Sequence, residues 1–169
     1  MADERADVVE LLTTDHARIA ELIEAGDGRS VIPELAKHLV AEDQLVYPQL
    51  RAGANDDDRV DSWLDSDRRL EEALLEVDKG RRTDLAAVAE LFASHRQTQE
   101  AETFPLMRAV LEPERLLVLG DELQEVMRTA PTHPHPHNPD EGILEVVTDA
   151  ISARIDEIRD AYHEGKGDR

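Results

Sequence analysis

The sequence predicts an all-α protein: an antiparallel up-down-up-down four-helix bundle with an extra C-terminal helix. Three observations carry that prediction. Charged residues make up 34% of the chain and aromatic residues only 3%, the balance of a helical protein whose core is aliphatic. Apolar residues recur every three or four positions over several long stretches, which places them on one face of a helix. Short turns rich in Gly, Asn and Asp separate the stretches, and short turns make neighbouring helices antiparallel. A length of 169 residues suffices for one domain with a substantial core.

Helix one is expected from about Asp3 to Ala25, with Val8, Leu12, Ile19 and Ile23 as its stripe and His16 in the gap. Gly26-Asp27-Gly28 ends it. Ser30 is the expected cap of helix two, with Pro33 in the first turn, where a missing N–H costs little. Its stripe is Leu35, His38, Leu39, Glu42, Leu45 and Val46, and Pro48 should bend or end it. Helix three covers about Arg59 to Lys79, with Val60, Trp63, Leu64, Asp67, Leu70, Leu74 and Val77 on one side. Thr83 or Asp84 should cap helix four, whose stripe is Leu85, Val88, Phe92, His95, Gln99, Glu102 and Leu106, with Pro105 as a bend or end. A shorter piece, Glu114 to Arg128, reads as a continuation of helix four after Pro113. These elements make residues 1–130 the bundle. Residues 131–139 hold four prolines, which forbid helix and favour a stiff extended connector. Residues 140–169 are expected to form a last helix, Asp140 to about Tyr162, and a frayed tail. Its stripe of Leu144, Val147, Ile151, Ile155 and Ile158 should pack on the bundle or build a homodimer contact.

Several function classes are excluded or disfavoured. The chain has no Cys, so thiolate zinc sites, iron–sulfur clusters, disulfides and Cys nucleophiles are out. A net charge of −20 argues against a basic nucleic-acid surface and against anionic membranes. No apolar run approaches a membrane span and the first residues do not read as a signal peptide, so a cytoplasmic location is expected.

The chemistry lies in a repeated pattern. His38 and Glu42 are followed by Tyr47-Pro48, and 57 residues later His95 and Gln99 are followed by Phe104-Pro105. A His and a carboxylate four residues apart sit one turn apart on the same helix face. All four bundle helices carry polar residues in otherwise apolar stripes: His16, then His38 and Glu42, then Asp67, then His95 and Gln99 with Glu102 a turn further on. Buried carboxylates without partners cost several kcal/mol, so four such intrusions near the helix midpoints imply a common polar centre. His, Glu and Asp together suit a first-row transition metal with N/O ligation, such as iron or manganese.

On these residues the chain resembles the hemerythrin-like HHE cation-binding proteins. Thr14-Asp15-His16, the segment from His38 to Tyr47-Pro48 and the segment from His95 through Glu100 to Phe104-Pro105 carry the likeness, which covers nearly the whole chain. The Pro-Thr-His-Pro-His-Pro tract and last helix resemble one actinobacterial branch. The resemblance implies a four-helix bundle holding a non-haem di-iron centre that binds or senses O2 or handles peroxide, nitric oxide or iron. It implies metal ligation by His16, His38, Glu42 and His95. Asp67 stands where the family has a His, and Gln99 where it has a Glu. Asp67 can bind a metal through oxygen; Gln99 is a weaker, neutral ligand. Glu100 is a substitute only if the helix bulges, since five residues turn it off the His95 face of a regular helix. Glu102 enters only if the site is displaced along the helix.

The expected cofactor is therefore two irons, with one iron, manganese or zinc as the lesser set. Two other functions stay open on the sequence: a peroxidase- or catalase-like di-iron enzyme, and a degenerate bundle with one or no metal that acts by protein interaction. Ferritin-like oxidases are disfavoured, because their Glu-x-x-His motif does not occur here. His133, His135 and His137 alternate with Pro and read first as connector.

Overall fold

The computed structural model describes residues 5–54 and 56–130, and every element in them is helical. The expected connector 131–139 and last helix 140–162 lie outside the described residues. Helix α1, Val8–Glu24, starts at a capping box: Asp7 accepts from the Glu10 amide, and the Glu10 side chain accepts from the Asp7 amide. Gly26, at φ 68°, turns the chain, a conformation in which a side chain would be strained. Helix α2, Gly28–Ala41, is capped by Asp27 rather than Ser30. Ser30 lies inside the first turn and donates its hydroxyl to Asp27 at 2.6 Å.

Neither Pro48 nor Pro105 ends its helix. In each case the chain widens into one π-helical segment, Glu42–Val46 or Gln99–Thr103, and then resumes as α3, Tyr47–Ala54, or α6, Phe104–Val110. The cause is local. A helical proline has no N–H to offer the carbonyl four residues back, and its ring clashes with that carbonyl. Widening the turn relieves the clash, and Tyr47 and Phe104 instead donate their amides to the carbonyls of Glu42 and Gln99, five residues back. The helix then continues because Tyr47, Leu50, Phe104 and Met107 are all buried.

Helix α4, Asp57–Asp78, is capped by Asp56, and α5, Ala86–Thr98, begins after Leu85, with Asp84 accepting from the Ala86 amide. Helices α1, α2, α4 and α5 form the four-cornered bundle: α1 touches α2 and α5, and α4 touches the same two. Helix α7, Pro113–Thr129, does not continue α6. Leu111 and Glu112 adopt extended backbone, and the chain turns so that α7 lies on α1 and α2. The approach is close: a Cβ on Gly120 would stand 2.4 Å from the Ala6 carbonyl oxygen.

The interior falls into two apolar clusters. One gathers Leu12, Leu45, Tyr47, Trp63, Phe104 and Leu119; the other gathers Ile19, Leu35, Leu70, Leu74 and Phe92. Along each bundle helix the polar residue sits at the junction: His16 between Leu12 and Ile19, Asp67 between Trp63 and Leu70, His95 between Phe92 and Phe104. The fold thus holds a polar layer between two dry ones.

Candidate metal centre

Four side chains meet in that layer. One donor atom from each of His16, His38, Glu42 and His95 lies within 4.8 Å of the other three, and all four residues are buried. The Nε2 atoms of His38 and His95 are 3.3 Å apart. Glu42 sets one oxygen 3.0 Å from His38 Nε2 and the other 3.4 Å from His95 Nε2. Apart from these ion pairs with the two imidazoles neither Glu42 oxygen makes a well-formed hydrogen bond, and His16 Nε2 is buried without any. Buried polar atoms are nearly always satisfied, so these donors point to a cation as their missing partner.

Each ring is fixed from behind. His38 Nδ1 donates to Asp15 at 2.9 Å, His95 Nδ1 to Asp67 at 2.7 Å and His16 Nδ1 to Glu100 at 3.3 Å. A carboxylate on Nδ1 sets the tautomer, leaves Nε2 free as a lone-pair donor and raises its basicity. Three imidazoles and one carboxylate, each oriented, fit a first-row transition ion.

The electrostatics of the metal-free site are those of a cation cage. Burial drives the His16 pKa down to about 4, helped by the neighbouring His38. Burial would lower His38 too, but Glu42 and Asp15 outweigh it and raise that histidine to about 10. Glu42 is held at about 2, since His38 and His95 overcome the cost of its burial. Burial likewise opposes charging His95, yet Glu42 and Asp67 raise its pKa. One imidazolium therefore neutralises Glu42 where an ion would otherwise do so.

The other expected residues stand further out. Asp67 spends both oxygens, one on His95 Nδ1 and the other accepting from the Tyr47 hydroxyl. Gln99 is buried; its Nε2 donates to the Tyr47 oxygen at 3.2 Å, and its Oε1 has no partner. Glu100 reaches the His16 ring because the helix does bulge, across Gln99–Thr103, and it also pairs with Arg96 at 2.8 Å. Glu102 faces solvent and pairs with Arg59 at 2.9 Å. Two participants were missed from sequence. Asp15 lies at the edge of the α1 stripe beside His16, which was its available signal. Tyr47 offered no signal beyond its place before Pro48, and it joins Asp67 to Gln99.

The chain is similar to an uncharacterized hemerythrin-like protein of Schizosaccharomyces pombe. Identity is 26% over 137 residues, covering 75% of this chain and 66% of that protein. No family model matches, and no solved structure matches significantly. The likeness is thus to a protein named as hemerythrin-like, and this chain's own buried His/Glu cluster is compatible with a metal ion. Among the described residues no helix is long and apolar enough to cross a membrane.

Proposed function

We propose that this chain is a cytoplasmic, hemerythrin-like non-haem metal protein in which His16, His38, Glu42 and His95 hold a first-row transition ion, iron foremost, to take up a small ligand such as O2, nitric oxide or peroxide. The observation that carries the reading is the set of four buried, convergent donors, in which His16 Nε2 has no partner and the Glu42 oxygens meet only the imidazoles that would share the ion. An ion with fewer protein ligands than it can accept keeps a position for such a ligand. The chain's own residues supply the rest. Asp15, Asp67 and Glu100 orient the three rings. His16 stacks on Phe104 at 5.4 Å between ring centres and meets the edge of Phe92 at 5.9 Å, so apolar walls limit water around the donors.

A second reading, a two-ion centre, is favoured by one observation: Gln99 Oε1 is buried and unpartnered close to Tyr47 and Asp67. The first experiment separates the two. Protein expressed with added iron is purified untagged and its metal content per chain measured by mass spectrometry, beside Glu42→Gln. About one ion, lost in Glu42→Gln, supports the four-residue site; about two supports the second reading. None, with no rise in melting temperature on adding Fe²⁺, Mn²⁺ or Zn²⁺, overturns both.

A further inference from the structure

The three carboxylates behind the histidines are not equally placed. Asp15 and Asp67 keep 12% and 11% of their side chains exposed, whereas Glu100 keeps 35%. Glu100 also stands furthest from its ring: its Oε1 lies 3.3 Å from His16 Nδ1, against 2.9 and 2.7 Å in the other two pairs. The same Oε1 accepts from Arg96 Nε at 2.8 Å, and that guanidinium is exposed. His16 is fully buried, and among the described residues its contact with Glu100 is the only hydrogen bond of its ring. One nitrogen of this imidazole thus faces the cage while the other reaches a carboxylate at the surface. Above and below the polar layer lie the two apolar clusters, which a hydrated cation does not cross.

Glu100 and His16 Nδ1 have the spacing of a ligand pair. Two donors 3.3 Å apart, each about 2.1 Å from one ion, subtend about 104° at it, close to tetrahedral. A neutral imidazole carries its proton on either nitrogen. With the proton on Nε2, which has no partner in the metal-free site, Nδ1 offers a lone pair toward Glu100. On the reading that His16, His38, Glu42 and His95 hold an ion, we infer that Glu100 and His16 Nδ1 form an outer station for it. The station captures a divalent transition-metal ion from solvent, displacing Arg96, and hands it past the His16 ring to the inner donors. Turning the ring for that transfer breaks no other hydrogen bond, and the ring lies on the flat face of Phe104, 18° from parallel.

Uptake kinetics test this. Metal-free full-length protein is mixed with excess Co²⁺ in a stopped-flow instrument, and the visible absorption of the ligated ion is followed to its plateau. Glu100→Gln keeps an acceptor for the ring but loses the charge. It should slow uptake by about tenfold or more, the low end of what a focusing charge adds to an association rate. Arg96→Gln, which removes the competing guanidinium, should speed uptake. Glu102→Gln is the control: it removes the same charge from a side chain on the same π turn that pairs with Arg59 instead, and should leave the rate unchanged. A residue that only orients His16 would leave uptake alone and quicken release into excess chelator. That pattern in Glu100→Gln overturns the outer station, as does an equal slowing by Glu102→Gln, and either result leaves the four-residue site standing. No uptake by the wild type at all overturns the site and the station together.

Discussion

The aspartate behind His95 shows how much a residue can do without touching an ion. Asp67 is buried, and burial pushes its pKa up against the pull of His95. It nevertheless holds the ring nitrogen and accepts from Tyr47. Asp67→Asn keeps the shape and an acceptor oxygen but removes the charge that raises the basicity of His95. Loss of such a partner behind a metal-binding histidine typically weakens affinity by about 10–100-fold. We expect that loss in a chelator-competition titration, with the far-ultraviolet circular dichroism unchanged. Unchanged affinity would make Asp67 a packing residue only. The four convergent residues were legible in the sequence because each interrupts an apolar stripe, and burial of a polar group demands a reason. Asp15 was less legible, since an acidic residue at a stripe edge is ordinarily solvated.

At the scale of elements, the helices were readable from their periodicity, whereas the details depend on contacts that no local pattern encodes. Pro48 and Pro105 signal a break, but the burial of the residues beyond them keeps the helix going through a π turn. The same turn brings Glu100 toward His16, which a regular helix would not do. The position of α7 was misread for a related reason: its path is set by packing on α1 through Gly120. That contact gives a test. Gly120→Ala would press a methyl onto the Ala6 backbone, 2.4 Å away, and backbone cannot swing aside as a flexible side chain can. Overpacking of this kind costs about 1–3 kcal/mol, or very roughly 3–10 °C in melting temperature at this chain length. Gly28→Ala is the control, since its nearest neighbour would be a Leu85 methyl at 3.9 Å. Equal melting of the two variants would mean that the α1–α7 contact yields easily.

For the whole molecule, the buried charges tie folding to pH and to metal. In the metal-free chain His38 has a raised pKa, about 10 against an ordinary 6.5; its stabilisation is complete below pH 6.5 and disappears as pH rises through about 10. His16 is depressed to about 4 from 6.5, and Glu42 to about 2 from 4.5. Their contributions are present above those ordinary values and are lost as pH falls through the folded ones. Metal-free protein should therefore melt highest between pH 6 and 7 (roughly, from the opposed signs) and lower on either side. An ion must displace the proton on His38, so its stabilising effect should grow with pH. Melting curves with and without Fe²⁺ under anaerobic conditions, from about pH 6 to pH 8, should show a widening gap. A constant gap would mean that the cation does not take the place of that proton.

The two π turns have a consequence of their own: the same device follows both paired helices, α2 and α5, with His38 and Glu42 at one and His95 and Gln99 at the other. The ligand set is not repeated with it. His16, His38, Glu42 and His95 converge as donors, while Asp67 and Gln99 are joined in hydrogen bonds around Tyr47. The bundle thus repeats a backbone device without repeating the chemistry it carries. Replacing that pair with stronger donors, Asp67→His and Gln99→Glu together, should raise the iron content by about one ion per chain, because both positions already face the bundle interior. An unchanged content in the doubly substituted protein would show that the repeat belongs to the backbone alone.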